Sequence, residues 1–246
     1  MRGLGTVLNV VAILIGAGLG VLIGHRLPER TRRTVTDALG LVTLVIGGLN
    51  IVALKDDDYI AAVGSGGTLL VVLAALVIGG IVGSLLRIED RLEAFGGWLQ
   101  RTFVRGDGTQ SRARFVEGFV DASLVFCIGP LAVLGSLSDG LGKGIDQLVL
   151  KSTLDGFASL AFAASLGWGV AASALSVGVW QGLLTVLGAL LGSFMSAALI
   201  ASLTVTGGVL LLGVGLRLLN IRQVPVGDLL PALIVAPILT AIIAAF

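Results

Sequence analysis

The sequence is poor in the residues that carry most enzyme and metal chemistry. It has one cysteine, Cys127, and one histidine, His25. One thiol cannot form a disulfide framework or a cysteine-based metal cage, and a single histidine argues against a Ser-His-Asp hydrolase. It also lacks a phosphate-binding loop, a zinc-binding His-Glu helix and a nucleophile elbow. We therefore expect no enzyme activity and no cofactor. His25 lies among arginines, where a solvated loop histidine is expected.

Charged residues are also scarce. They make up 13% of the 246 residues, whereas hydrophobic residues make up 56% and the mean hydropathy is +1.05. A soluble domain carries about 25% charged residues, so this chain has too few to coat a water-exposed surface. Lipid must therefore solvate much of it, which predicts an all-α, polytopic membrane helix bundle forming one transmembrane domain over residues 1–246. We expect no nucleic-acid partner.

Apolar stretches long enough to cross a bilayer recur along the chain. A spanning helix needs about 20 mostly apolar residues. The stretches that qualify are 4–24, 35–54, 66–86, 115–137, 150–167, 169–192, 198–219 and 228–246. The sequence thus predicts about eight spans, with a tight turn near Gly167 and a kink at Pro231 and Pro237 in the last one.

Basic residues are concentrated in three of the intervening loops. Most of the 16 lysines and arginines follow the first, third and seventh stretches. Because basic loops stay cytoplasmic, the sequence predicts a bacterial inner-membrane protein with both termini outside. The sizeable loop, 87–114, begins with charged and apolar residues at helical spacing, so we expect a cytoplasmic amphipathic connector there.

Glycine is abundant, with 37 residues. Several glycines recur four residues apart, at Gly16, Gly20 and Gly24, at Gly79 and Gly83, and at Gly188 and Gly192. Such stripes let helix backbones approach closely, which predicts a compact bundle and makes a homo-oligomer possible. The similar segments 5–8 and 67–70 leave open whether the chain contains internal repeats, as many transporters do.

Polar side chains within or beside the apolar stretches are the candidates for a binding site. They are Asp155, Asp139, Ser152, Ser136, Asn9, Asn50 and Gln181. The spacing Ser-x-x-Asp-Gly occurs at 136–140 and again at 152–156, and on a helix it puts hydroxyl and carboxylate on one face. Carboxylate, hydroxyl and amide oxygens are the ligands that hard cations prefer, and two carboxylates could also relay protons.

Structural roles explain several of the same residues. A Ser-x-x-Asp motif can cap a helix, and Lys151 can form a salt bridge with Asp155 four residues later. Asn9 and Asn50 can make interhelical hydrogen bonds. Gln181, in the middle of its stretch, either lines a pathway or joins two helices.

Four segments carry a resemblance to a known family. Residues 5–9, 16–20, 135–140 and 151–156 together resemble the bacterial membrane family of unknown function 554 (YdfK/YqgA-like) over nearly the whole chain. That resemblance implies no activity, because the family has none assigned.

A second resemblance concerns Asp155. The segment 154–159, followed by 165–169, is similar to the aspartate-headed helix of MntP-type manganese exporters in the lysine exporter superfamily. It implies a cation-ligand role for Asp155. Those exporters carry a second aspartate helix of the same type, which the Asp139 motif matches poorly.

These observations lead to one functional hypothesis and one alternative. The hypothesis is a transporter or channel that moves a small solute, with a cation favoured, along a carboxylate-lined pathway by alternating access between repeats. The alternative is a non-transporting membrane scaffold or sensor, which the amphipathic segment 87–100 supports.

Overall fold

The computed structural model describes residues 2–24, 28–103, 109–127, 130–191 and 196–245. Within these ranges the chain forms helices and turns, and no strand occurs among them. The prediction of an all-α polytopic bundle is confirmed. The predictions for His25 and Gly192 fall outside the described residues.

The helices follow the apolar stretches along the chain. In order they are α1 (Leu4–Gly24), α2 (Glu29–Ile51), α3 (Asp57–Val63), α4 (Gly67–Leu86), α5 (Ile88–Phe103), α6 (Thr109–Cys127), α7 (Pro130–Leu141), α8 (Asp146–Leu166), α9 (Gly169–Leu191), α10 (Ala197–Leu218), α11 (Val226–Leu229) and α12 (Ala232–Ile243). A 3-10 turn, Val52–Lys55, extends α2.

Six helical segments of the described chain are long and apolar enough to cross a membrane. They are α1, α2 with its 3-10 turn, α4, α9, α10 and the segment Val226–Ile243. The stretch expected as one helix over 115–137 is instead α6 and α7, bent by 61° where α7 begins at Pro130; as one span this pair would be the seventh. α8 is less apolar, because Lys151 and Asp155 lie within it. Pro231 interrupts the last span as expected.

The chain divides into two compact units. That residues 1–246 form one transmembrane domain stays a prediction. Unit 1 comprises Met1–Leu39 and Leu92–Phe194, and unit 2 comprises Gly40–Arg91 and Met195–Phe246. Two of the boundaries fall inside helices, α2 and α5, so each of these helices contributes residues to both units.

Unit 1 is built on a close crossing of α1 and α8. The two helices run in the same direction, with Gly16 and Gly20 against the backbone carbonyls of Gly156 and Leu160. A Cβ atom on either glycine would overlap those oxygens, so only glycine permits this approach. α9 packs against α1, α6 and α7 in the same unit.

Unit 2 has its own glycine contacts. A Cβ on Gly208 of α10 would lie 2.7 Å from the carbonyl oxygen of Gly47 of α2, and one on Gly83 of α4 would overlap the carbonyl oxygen of Asp228. Tyr59 of α3 is fully buried and donates its hydroxyl proton to the Thr68 carbonyl at 3.1 Å. Burial raises the pKa of Tyr59 above its ordinary value, because it disfavours the phenolate.

An ion-pair network joins three elements of unit 2. The Glu89 carboxylate at the start of α5 accepts from the Arg217 guanidinium of α10 and from the Gly227 backbone N–H of α11, the latter at 2.5 Å. In return, the Glu89 backbone N–H donates to Asp228 Oδ1 at 2.9 Å. The Arg217 and Glu89 side chains are only 10% and 13% exposed. The Glu89 carboxylate therefore accepts from an amide at the start of α11, and the Asp228 carboxylate accepts from an amide at the start of α5.

The glycine stripes pack within the chain. The similar segments 5–8 and 67–70 begin α1 in unit 1 and α4 in unit 2. However, α1 packs along α8 in the same direction, whereas Gly79 and Gly83 meet Ala232 and Asp228 in the reverse order. The packing of these two helices is therefore not repeated. Other helices of the same chain cover these glycine faces, so they do not support an oligomer interface. The homo-oligomer prediction stays untested.

The α1–α8 crossing gives a matched test of these contacts. We expect Gly16→Ala and Gly20→Ala each to destabilise the protein by about 1–3 kcal/mol, because α1 must move off α8. Gly18→Ala is the control, since no heavy atom lies within 4 Å of its added Cβ. Thermal unfolding in detergent measures the difference, and equal stability of all three variants would show that the crossing does not depend on glycine.

Candidate functional site

Four helices of unit 1 bring buried polar side chains together near the start of α1. We call this set the polar cluster. Its members are Thr6, Asn9, Ser136, Asp139, Lys151, Ser152, Asp155, Gln181 and Thr185, all of them buried. They come from α1, α7, α8 and α9, which pack against one another in this unit. Sequence reasoning had named six of these residues as candidates for a binding site and had left open whether the two Ser-x-x-Asp-Gly motifs share it.

Asp155 is the centre of the strongest interaction. Its Oδ2 accepts from Lys151 Nζ at 2.6 Å and from Asn9 Nδ2 at 2.9 Å. The Lys151 and Asp155 side chains are 8% and 10% exposed. The predicted salt bridge over four residues of one helix is therefore confirmed, and Asn9 makes the interhelical hydrogen bond that the sequence allowed.

Asn9 also has an unused acceptor. Its amide is fully buried, and its Oδ1 has no hydrogen-bond partner among the residues that the structure describes. Burying a polar group without a partner costs free energy. Asn9 thus bonds the carboxylate of Asp155 through its amide nitrogen, while its amide oxygen stays without a partner.

Asp139 has a different role from Asp155. Its two carboxylate oxygens accept from the backbone N–H groups of Gly3 and Gly5, at 3.0 Å and 3.1 Å. Asp139 therefore caps α1 from α7, placing a negative charge where the helix dipole is positive. The motif therefore does cap a helix, but through the carboxylate of Asp139 and not through the hydroxyl of Ser136, and the capped helix is α1. Because Gly5 and Asn9 are one turn apart on α1, the two carboxylates meet α1 one turn apart.

The two Ser-x-x-Asp-Gly serines also differ. Ser152 Oγ donates to the Leu148 carbonyl of its own helix at 2.6 Å. Ser136 Oγ is buried, and no partner for it occurs in the described part of the chain. The repeated spacing thus does not give two equivalent sites.

α9 supplies the remaining members of the cluster. Gln181 is fully buried, and neither its Nε2 nor its Oε1 has a partner within the described ranges. One turn later, Thr185 Oγ1 lies 3.4 Å from Thr6 Oγ1 of α1. Sequence reasoning missed both threonines. Their spacing could have identified them. Thr185 follows Gln181 by four residues and Thr6 precedes Asn9 by three, so each threonine shares a helix face with a residue that was already a candidate.

Asn50 lies outside the polar cluster. It is a half-buried residue of α2 in unit 2, where its Cβ is 2.9 Å from the position of a Cβ on Gly208. Its contact is therefore with the glycine crossing of α2 and α10, and the contacts that assemble the cluster in unit 1 do not include it.

The charges of the cluster limit what it could hold. In the part of the chain that the structure describes, no group of three or more His, Cys, Asp or Glu side chains could hold a metal ion. Asp139 is occupied by backbone amides, and Asp155 already faces one ammonium group. One carboxylate beside neutral oxygens suits a single positive charge better than a divalent ion, which prefers several carboxylates.

The sequence matches one family over nearly its whole length. Residues 4–241 match the family described as "Protein of unknown function (DUF554)". The chain belongs to the DUF554 family. It is 29% identical to "Uncharacterized membrane protein YdfK" of Bacillus subtilis (strain 168) over 244 residues, 98% of this chain and 97% of that protein. It is also 29% identical to "Uncharacterized protein YqgA" of Escherichia coli (strain K12) over 238 residues, 97% and 96% of the two chains.

No solved structure matches this DUF554 protein. The predicted family is confirmed. The apolar helices and the membrane-protein relative YdfK together support a multi-pass membrane protein. The family supplies no activity. The resemblance of the Asp155 segment to MntP-type exporters stays a prediction.

Proposed function

We propose that this DUF554 protein transports a small monovalent cation, with Asp155 as the carboxylate that binds it. The observation that carries the proposal is the buried Asp155–Lys151 ion pair, which is hydrogen-bonded to Asn9 in a unit that also buries unpartnered polar atoms of Asn9, Ser136 and Gln181. Ionisable groups inside a membrane bundle are costly and commonly mark an ion or proton pathway.

Stability alone does not account for this pair. Replacing a whole buried ion pair with apolar residues of similar volume is often neutral or stabilising. In addition, the amide of Gln181 and the Oδ1 of Asn9 are buried without the partners that a purely structural polar residue has. Groups of this kind support a binding role, because a ligand can supply the missing interactions.

In the proposed mechanism, Lys151 fills the cation position while no cargo is bound. A cargo cation binds when the ammonium of Lys151 moves off Asp155 Oδ2. The carboxylate then supplies the charge, and Asn9 Oδ1 supplies a neutral ligand oxygen. Since the ammonium and the cargo compete for one carboxylate, occupancy by one excludes the other. The cargo therefore carries one positive charge in this scheme.

We propose the orientation predicted from the basic loops, with both termini outside and the arginine-rich segment 87–114 in the cytoplasm. The polar cluster, which lies near the start of α1, then belongs to the outer half of the membrane. Alternating access would expose Asp155 first to one side and then to the other.

Ion flux into liposomes tests the proposal. We expect the reconstituted wild type to carry at least one of Li⁺, Na⁺, K⁺ or ammonium, and Asp155→Asn to lose that flux. Asp146→Asn is the matched control, because Asp146 lies on the same helix but is exposed. Folding of each variant is checked by its elution from a sizing column.

The scaffold or sensor alternative is supported by the surface of α5. Phe95 and Trp98 are stacked at 5.7 Å between ring centroids and are 40% and 54% exposed, which leaves an aromatic face open. If folded wild-type protein carries none of the four cations, transport is rejected and this alternative becomes the better explanation. If Asp155→Asn and wild type carry ions equally, Asp155 is not the binding carboxylate.

A further inference from the structure

Unit 1 contains an apolar cavity of about 870 Å³ between α1, α5, α6 and α9. Its lining is hydrocarbon and aromatic, and it includes Leu14 of α1, Leu99 of α5, Phe115 of α6 and Trp168 at the α8–α9 turn. The α9 side of the wall continues to Val179. At 1.5 Å per residue, the wall from Trp168 to Val179 is about 16 Å long. A largely apolar space of this length fits an alkyl chain.

Two guanidinium groups lie near Gly97 of α5, two residues before the lining residue Leu99. Arg101 Nε donates to the Gly97 carbonyl at 3.3 Å, and a Cβ on Gly97 would lie 3.0 Å from Arg112 Nη2. Arg112 precedes the lining residue Phe115 by three positions and so shares its face of α6. Both arginines are exposed, and neither pairs with a carboxylate among the described residues.

We propose that the cavity binds an acyl chain of an anionic phospholipid, whose phosphate lies on Arg101 and Arg112. Guanidinium groups bind phosphate oxygens through paired, charge-assisted hydrogen bonds. Basic pockets between membrane helices bind anionic headgroups, which are abundant in the cytoplasmic leaflet. Trp168 is half-exposed at the end of the cavity, as expected of a tryptophan at the depth of the headgroups. This site uses none of the polar cluster and does not rest on cation transport.

The two parts of the site can be removed separately. R101Q/R112Q removes the phosphate-binding charges, and Ala172→Phe fills the cavity from its wall. The matched control is R30Q/R91Q, which removes two exposed arginines at other positions, Arg30 on α2 and Arg91 near the start of α5. Full-length protein in mild detergent is mixed with phosphatidylglycerol, phosphatidylcholine or inorganic phosphate, and bound lipid is counted by native mass spectrometry alongside the melting temperature.

We expect wild type and R30Q/R91Q to retain phosphatidylglycerol and to melt at a higher temperature with it. R101Q/R112Q and Ala172→Phe should both lose this retention and this shift. Equal retention of phosphatidylcholine would overturn the proposal, because it would indicate a general lipid coat. An equal shift with inorganic phosphate would overturn it as well, since the arginines would then bind free phosphate. If R101Q/R112Q fails to fold, Ala172→Phe and the comparison of ligands on wild type still decide.

Discussion

Asp155→Asn is expected to lower the free energy of unfolding by about 3–5 kcal/mol, in addition to abolishing the proposed transport. The change leaves the ammonium of Lys151 buried without its counter-charge, and the Lys151 side chain is only 8% exposed. The loss therefore comes from an uncompensated charge more than from the lost hydrogen bond. Denaturant unfolding in lipid bicelles measures it.

A double variant separates stability from function at this position. Lys151→Met with Asp155→Leu removes both charges and keeps similar volume, so we expect most of the stability to return. The same protein should still carry no cation, because the binding carboxylate is gone. If the double variant is as unstable as Asp155→Asn, the pair holds the fold together and the cost does not arise from an orphaned charge. Asp146→Asn, at an exposed position of α8, should change stability by no more than about 0.5 kcal/mol.

Arg217→Met should have an effect of similar size in unit 2, again about 3–5 kcal/mol. Glu89 would keep its bond from the Gly227 N–H but would lose its only described ion pair. Because Glu89 also orders Asp228 through its own backbone N–H, we expect α11 and the start of α5 to loosen together. Hydrogen exchange of the amides in 87–91 and 226–229 would show this directly.

A surface ion pair gives the control for Arg217. Arg33 and Glu29 lie 3.4 Å apart on α2, but their side chains are 78% and 52% exposed. Exposed pairs contribute about 0–1 kcal/mol, so Arg33→Met should be close to wild type. If Arg33→Met and Arg217→Met cost the same, burial does not set the strength of these pairs. E89Q with R217M should recover part of the loss, since neither charge is then left alone.

The sequence predicted the features that depend on residues close together in the chain. Apolar stretches located the helices, because a membrane helix must satisfy its own backbone and so appears as a long apolar run. The four-residue spacing of Lys151 and Asp155 predicted their salt bridge for the same local reason. The bend between α6 and α7 was missed, because apolarity continues through it and only Pro130 marks it.

Pairings between distant segments could not be predicted in this way. Asn9 bonds Asp155 across 146 positions, and Asp139 caps Gly3 across 136. Side-chain chemistry made these residues candidates but did not say which helices are neighbours. For this reason Asn50 looked equivalent to Asn9, although it packs on Gly208 in the other unit. The glycine stripes likewise identified helix faces without identifying what covers them.

The ion pair between Glu89 and Arg217 also restricts how the chain is threaded through the bilayer. Glu89 follows α4 and Arg217 lies in the last turn of α10, so the pair fixes these two helix ends at one face of the membrane. A chain that leaves a face and returns to it must cross an even number of times. Between these residues lie the bent α6–α7 pair, α8, α9 and α10.

Whether the number of crossings is even depends on α8. A Cβ on Gly5 would lie 2.7 Å from Leu148 Cβ, and one on Gly24 would lie 2.9 Å from Ala164 Cα, so α8 accompanies α1 from end to end in the same direction. Where α1 crosses the membrane, α8 lies beside it over the same length, although it is not among the six apolar segments named above. If α8 crosses with α1, an even number of crossings requires the α6–α7 pair to cross as well, as one broken span.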